Sequence, residues 1–322
     1  MEKHINITTE VDVTALVVAA TRAIETNGDD PLFKDHLAAE FIRAAGVADV
    51  FPVTPEQVGQ SDNPEGIRAL VRVAALRTRF LDDYFAEAGL DQVVILAAGL
   101  DTRAFRLDWP AGCTLFELDH GSMMDFKQKV LDQERATCDR RAVSIDLRTD
   151  WPDALTEAGF DPERPTAWLA EGLLPFLPPA AEENLFDRIH ELSAAGSTVA
   201  VWATAQDIRG ADQNMRRTIT DFGVDIKAMT NTEPRQDARE RLTSLGWKVT
   251  ESTMDQLGER YRRPQRNHPV TFSPLNSDGG RRRHGDQPHD KRRPTADTRG
   301  PEPPGFHAAL LFRKGRPAER LP

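Results

Sequence analysis

Short apolar runs alternate with longer amphipathic stretches, and the alternation becomes regular after residue 88. The run Val93-Val94-Ile95-Leu96-Ala97-Ala98 has no polar interruption, as a strand covered on both faces requires. Comparable runs near 113–119, 141–146, 166–171 and 197–204 are separated by stretches of helical periodicity near 121–136, 151–158, 180–194 and 235–245. That βαβ rhythm predicts an α/β fold built on a doubly wound sheet. Gly246 to Thr250 reads as a sixth strand and His307 to Phe312 as a seventh.

Before this core the pattern is helical. Asp12 to Thr26 and His36 to Ala45 carry apolar residues at helical spacing, and Thr54 to Gly59 is a short turn or helix. Ser61-Asp62-Asn63-Pro64-Glu65 starts a longer helix with a capping residue ahead of proline, and Gly89 ends it. Residues 1–88 are therefore expected to form an N-terminal helical cap and 89–261 the α/β core. Residues 262–303 lack a hydrophobic period and are rich in Arg, Pro, Gly, Asp and His. They are expected to form a disordered basic insertion, either an inert loop or a lid, ahead of a last strand and tail over 304–322.

Composition narrows the function classes. At 322 residues with 39% hydrophobic and 29% charged positions, the chain can bury a full core, and no apolar run approaches the roughly 18 residues of a membrane span. The first residues lack the basic and apolar pattern of a secretion signal, so a cytoplasmic protein is expected. A net charge of −10 argues against a nucleic-acid partner, although residues 262–303 hold ten Lys/Arg against five Asp/Glu. Cys113 and Cys138, the only cysteines, read as free small hydrophobes, and no metal is expected.

The candidate chemistry begins where the first strand ends. Ala97-Ala98-Gly99 removes side-chain bulk where the backbone must approach a ligand, which makes Ala97 and Gly99 candidate binding positions. The next strand ends in Phe116-Glu117-Leu118-Asp119, and an acid there is placed to accept hydrogen bonds from both hydroxyls of a ribose. Glu117 alternates with Asp119 and either shares that task or lines the cleft. The three-glycine dinucleotide fingerprint is incomplete, since Ala97 and Thr102 stand at its outer positions, and this favours an adenosine cofactor without a pyrophosphate. Glu171, closing the fourth strand, either accepts a hydrogen bond from the cofactor or holds its own loop through backbone amides.

Several of these segments occur together in one group of enzymes: GDDPLFKDHLAAEF at 28–41, RTRFLDDYF at 77–85, AAGLDTRAFRL at 97–107, FELD at 116–119, FKQKVL at 126–131, SIDLRTDWPDAL at 144–155 and AWLAEGLLPFLP at 167–178. From about Val13 to Glu251 the chain resembles the actinobacterial S-adenosyl-L-methionine-dependent methyltransferases related to leucine carboxyl methyltransferases. The resemblance implies a seven-stranded, Rossmann-like methyltransferase sheet and S-adenosyl-L-methionine as cofactor. It also implies that Asp146 and Leu147 read the adenine edge and that Arg77 holds the methionine carboxylate, with Arg79 the competitor for that role. Asp101 and Arg103 are expected to pair and brace the glycine turn. Where the family has Gln-Pro after the ribose acid, this chain has His120-Gly121.

Methyl transfer from a sulfonium needs in-line placement more than acid–base help, because the leaving group is neutral. A carboxylate acceptor is already ionised at neutral pH, whereas a hydroxyl would need a general base, and none is evident in the sequence. The expected reaction is O-methylation of a small-molecule or carboxylate-bearing acceptor. The alternatives are an NAD-dependent dehydrogenase and a non-catalytic regulatory protein that binds S-adenosyl-L-methionine.

Overall fold

The computed structural model describes residues 13–202, 213–263 and 307–315. Most of the segment expected to be a disordered insertion, from residue 264 on, lies outside the described residues. The N-terminal region folds into α1 (Val13–Thr26), α2 (Ala38–Ala44), α3 (Pro55–Gly59) and α4 (Pro64–Ala88). The start of α4 follows from local chemistry: the Asn63 side chain accepts from the Gly66 amide at 3.1 Å, and Pro64 occupies a position with no amide to satisfy. Gly89, left-handed at φ 57°, ends the helix as its amide reaches back to the Phe85 carbonyl.

Seven strands follow: β1 (Gln92–Leu96), β2 (Thr114–Asp119), β3 (Asp139–Ser144), β4 (Ala167–Glu171), β5 (Thr198–Trp202), β6 (Trp247–Thr253) and β7 (His307–Lys314). They form one sheet in the order β3-β2-β1-β4-β5-β7-β6. β7 runs antiparallel between β5 and β6, and the remaining neighbours are parallel. The chain winds one way from β1 through β3 and the other way from β4, so the carboxyl ends of β1 and β4 flank a switch in direction. Open α/β sheets bind ligands in that crevice.

The continuous apolar runs are explained by two covered faces. Val94, Leu96, Phe116, Leu118 and Trp168 pack under α7 (Trp151–Glu157), α8 (Pro179–Glu191) and α11 (Ala238–Ser244). Val93, Ile95, Leu115 and Leu169 face the other way, against Leu76 and Phe80 of α4 and Leu257 of α12 (Met254–Arg260). A third cluster joins α1 and α2 to Leu100 and to Met123 and Leu131, in and just after α6 (Gly121–Val130). Both cysteines are free, and among the described residues no helix is long and apolar enough to cross a membrane.

Several boundaries differ from expectation. β3 covers Asp139–Ser144 rather than 141–146, because this edge strand opens on Asp139-Arg140-Arg141, and edge strands carry charges that an apolar pattern does not detect. Asp146 therefore lies beyond the strand, in a turn. α6 stops at Val130 rather than 136, where Leu131 caps it and a tight turn begins. The apolar pattern does not reveal α12, and α5 (Arg103–Arg106), α10 (Ile226–Met229) and a single 3-10 turn at Leu174–Phe176 have too few residues to show a period. α9 (Gln213–Asp221) was also not anticipated.

Candidate active site

The turn after β1 is the centre of the site. Ala97 has φ 50° and Gly99 φ 47°, so the position where a dinucleotide fingerprint has glycine keeps the left-handed conformation even with a Cβ. This bend is tied to β2: the Ala98 amide donates to the Leu118 carbonyl at 3.0 Å, and the Gly99 amide donates to Asp119 Oδ2 at 2.6 Å. Asp119 Oδ1 accepts from the His120 amide at 2.7 Å. An ionised carboxylate has about four acceptor positions, so two backbone amides leave capacity for two ribose hydroxyls. Burial raises the Asp119 pKa above its ordinary value, with the two amides opposing the rise.

Glu117 does not share this task. Its Oε2 accepts from Lys127 Nζ at 2.7 Å and from Arg140 Nη2 at 2.8 Å, and both Glu117 and Lys127 are fully buried. The pair pins α6 and β3 to β2. Charge partners on neighbouring elements claim the carboxylate.

Across the switch point, α4 delivers Arg77 to Glu171 at the end of β4, and the two form an ion pair through Arg77 Nε. Gly172, left-handed at φ 66°, follows, and a Cβ there would lie 3.4 Å from Arg77 Nη2. The second Glu171 oxygen accepts from Arg103 Nη1 at 2.9 Å. Arg103 also bonds Asp101, and its Nε donates to Asp82 at 2.9 Å. Arg106 grips Asp82 through both terminal nitrogens at 2.6 and 2.8 Å. The expected pairing of Asp101 with Arg103 is present, inside a larger buried network. Burial penalises the Glu171 charge, but Arg77 and Arg103 outweigh it and lower the pKa. Burial likewise opposes the Asp101 charge, yet Arg103, Lys127 and Arg22 hold its pKa down to about 2.

Arg79 points elsewhere: it pairs with Asp83 at 2.9 Å and donates to the Leu32 carbonyl at 3.1 Å, half exposed. Of the two arginines on this stretch, Arg77 is the one at the crevice.

At the third corner Asp146 closes a turn on itself. Arg148 clasps its carboxylate through Nε and Nη2, the Arg148 amide adds a bond at 2.9 Å, and these hydrogen bonds lower the Asp146 pKa to about 2. Its carbonyl accepts from the Thr149 hydroxyl at 2.7 Å. Leu147 is half-buried against the sheet. Asp146 does not cap α7, whose N-cap position is Asp150. Trp151 packs edge-on to Trp168 in the core.

Sequence reasoning missed Asp82 and Arg106 as members of the buried network. Asp82 stands in the long amphipathic α4, where charged residues ordinarily face solvent, and Arg106 in the four-residue α5, which shows no period, so spacing carried no signal. Among the described residues, no group of His, Cys, Asp and Glu is arranged to hold a metal.

The left-handed turn after β1, the acid that ends β2 and a largely buried arginine–carboxylate pair at the end of β4 thus line one crevice at the switch in strand order. The family profile described as leucine carboxyl methyltransferase matches residues 15–190. A Mycobacterium avium protein named for S-adenosyl-L-methionine-dependent methyl transfer is 48% identical over 76% of this chain and 81% of its own. One of the same designation from Saccharopolyspora erythraea is 43% identical over 80% of this chain and 91% of its own. A crystal structure from Thermobifida fusca, described as a methyltransferase, aligns over 98% of this chain and 99% of its own at TM-score 0.48 and 13% identity. The chain belongs to the leucine carboxyl methyltransferase family, among its S-adenosyl-L-methionine-dependent methyltransferases.

Proposed function

We propose that the protein transfers the methyl group of S-adenosyl-L-methionine to a carboxylate oxygen of a small-molecule or carboxylate-bearing acceptor. The observation that carries the cofactor's placement is the convergence of Gly99, Asp119, Arg77 and Glu171 at the carboxyl ends of β1, β2 and β4. In this reading Asp119 takes the ribose hydroxyls, the backbone of Ala97 and Gly99 lies along the nucleoside, and Leu147 and Asp146 border the adenine. Arg77 holds the methionine carboxylate, and Glu171 accepts from the ammonium. The zwitterionic end of the cofactor thus offers each member of the ion pair a replacement partner of the right sign.

A carboxylate acceptor is favoured because the three histidines whose side chains are described are otherwise engaged or exposed. His36 lies 3.7 Å from Glu134, His190 Nδ1 accepts from Trp247, and His120 is exposed beside Asp119. An ionised carboxylate needs only orientation and removal of water, and the sulfur leaves as a neutral thioether. The reading takes the enzyme to be cytoplasmic, acting on neither nucleic acid nor membrane. The family gives no support to a dehydrogenase, and the intact crevice gives none to a non-catalytic binder. The test is methyl transfer from cofactor labelled in the methyl group to a panel of carboxylic acids and metabolite extracts. A methyl ester releases its label as volatile methanol on mild alkaline treatment. Label that survives that treatment would assign an ether, amine or carbon acceptor instead.

A further inference from the structure

The turn that faces the cofactor is gripped from outside the sheet by a segment far earlier in the chain. Arg22 is the only basic residue of α1, a helix otherwise mostly apolar. Its side chain is 7% exposed, its Nη2 donates to the Leu100 carbonyl at 2.6 Å, and its Nε lies 3.2 Å from Asp35 Oδ2. Asp35, with a side chain 0% exposed, accepts from the Thr102 hydroxyl at 2.7 Å through the same oxygen. The Asp35 position is itself fixed: its amide donates to Thr26 Oγ1 at 2.9 Å, and its Oδ1 accepts from the Leu37 amide at 3.2 Å. In the first turn of α1, the Ala15 methyl lies 3.7 Å from where a Cβ on Gly99 would stand.

The two residues hold the turn at Leu100 and Thr102, just beyond left-handed Ala97 and Gly99. A strained backbone persists only where its surroundings over-determine it. β2 supplies one set of constraints, and α1 with the loop behind it supplies the other. We infer that Arg22 and Asp35 are positioning residues of the cofactor site, setting the shape of residues 97–102, so that α1 and the loop to Leu37 belong to the site as well as covering it. The inference rests on the placement of S-adenosyl-L-methionine proposed above. Coupling is reciprocal, so cofactor bound on the turn also stabilises α1.

Arg22→Met, Arg22→Lys and Thr102→Val in the full chain test it, with calorimetry of the demethylated cofactor, S-adenosylhomocysteine, and amide exchange over residues 13–37 with and without that ligand. Arg22→Met is expected to weaken binding by about tenfold or more, within the usual range of coupling. It should also abolish the ligand-dependent protection of 13–37 and raise KM for the cofactor with little change in kcat. Arg22→Lys should restore part of the affinity. Thr102→Val, nearly isosteric, removes only a hydroxyl and keeps the inference testable if Arg22→Met does not fold; it should weaken binding severalfold. Folded Arg22→Met or Thr102→Val protein with wild-type affinity and unchanged exchange would overturn the inference. Asp119→Ala separates the two claims: if it is also silent the cofactor placement itself fails, whereas a sensitive Asp119 with a silent Arg22 removes the clamp alone.

Discussion

The two ends of the crevice solve the problem of buried charge in opposite ways. At the end assigned to the methionine portion, Arg77, Glu171, Arg103, Asp101, Asp82 and Arg106 already satisfy one another. At the end proposed for the ribose, Asp119 accepts from two backbone amides and, among the described residues, forms no ion pair, and burial raises its pKa. In the proposed placement, binding exchanges partners at the first end and adds partners at the second. The network buys a rigid frame that an arriving zwitterion enters by substitution. The lone acid keeps free acceptor capacity, so in the proposed placement it is the more discriminating contact for a ribose.

The sharpest way to break this contrast is to remove the hub of the network. Arg103→Met leaves Asp101, Asp82 and one Glu171 oxygen without their shared cation, and unpaired buried charge costs about 3–5 kcal/mol. Urea denaturation should show a loss of that size. Asp101→Asn sharpens the point through pH. The Asp101 pKa is lower folded than unfolded, so its contribution is present above the unfolded value and disappears as pH falls toward about 2. The stability gap between wild type and Asp101→Asn should narrow over that acid range.

Next in size is Asp119→Ala, expected to weaken S-adenosylhomocysteine by roughly 2–4 kcal/mol through loss of two charge-assisted hydrogen bonds. Calorimetry on folded protein decides it, and unchanged affinity removes Asp119 from the site. The sign of the pH effect follows from the raised pKa of the free protein. Ribose hydroxyls favour the carboxylate, so binding releases the proton. Affinity should fall as pH drops through the Asp119 pKa, with the fall starting at a higher pH than an ordinary aspartate would give.

Arg77→Met should cost about 1.5–3 kcal/mol in cofactor affinity while leaving adenosine nearly unaffected, since only the amino acid end loses its partner. Arg79→Met is the control, because Arg79 faces Asp83 and Leu32. Equal loss of cofactor and adenosine in Arg77→Met would erase the distinction between the two ends. The smallest expected effect is Ala97→Gly. Relief of a left-handed alanine should stabilise the free protein by up to about 1 kcal/mol, offset in part by glycine's greater unfolded entropy. A thermal shift measurement reads the balance.

Much of this arrangement is legible along the chain. The strand at Val93–Leu96 and the acid ending β2 announce themselves through unbroken apolar runs that stop at small or charged residues, because burial on both faces admits little else. The charged edge strand β3 does not announce itself, and Asp146 moved from strand end to turn in consequence. Glu117 and Asp119 have the same chemistry and lie two residues apart on one strand. Only the approach of Lys127 and Arg140 makes one structural and leaves the other available.

By itself, then, the order of apolar and small residues determined the doubly wound sheet and the bend after β1, since these depend on contacts between near neighbours and on burial that periodicity records. The tertiary structure decided which charges pair. Arg77 meets Glu171 across 94 positions, and Arg22 reaches Leu100 across 78. A side chain's character says that it needs a partner in a dry interior, but the partner's identity depends on which elements the fold brings within about 3 Å.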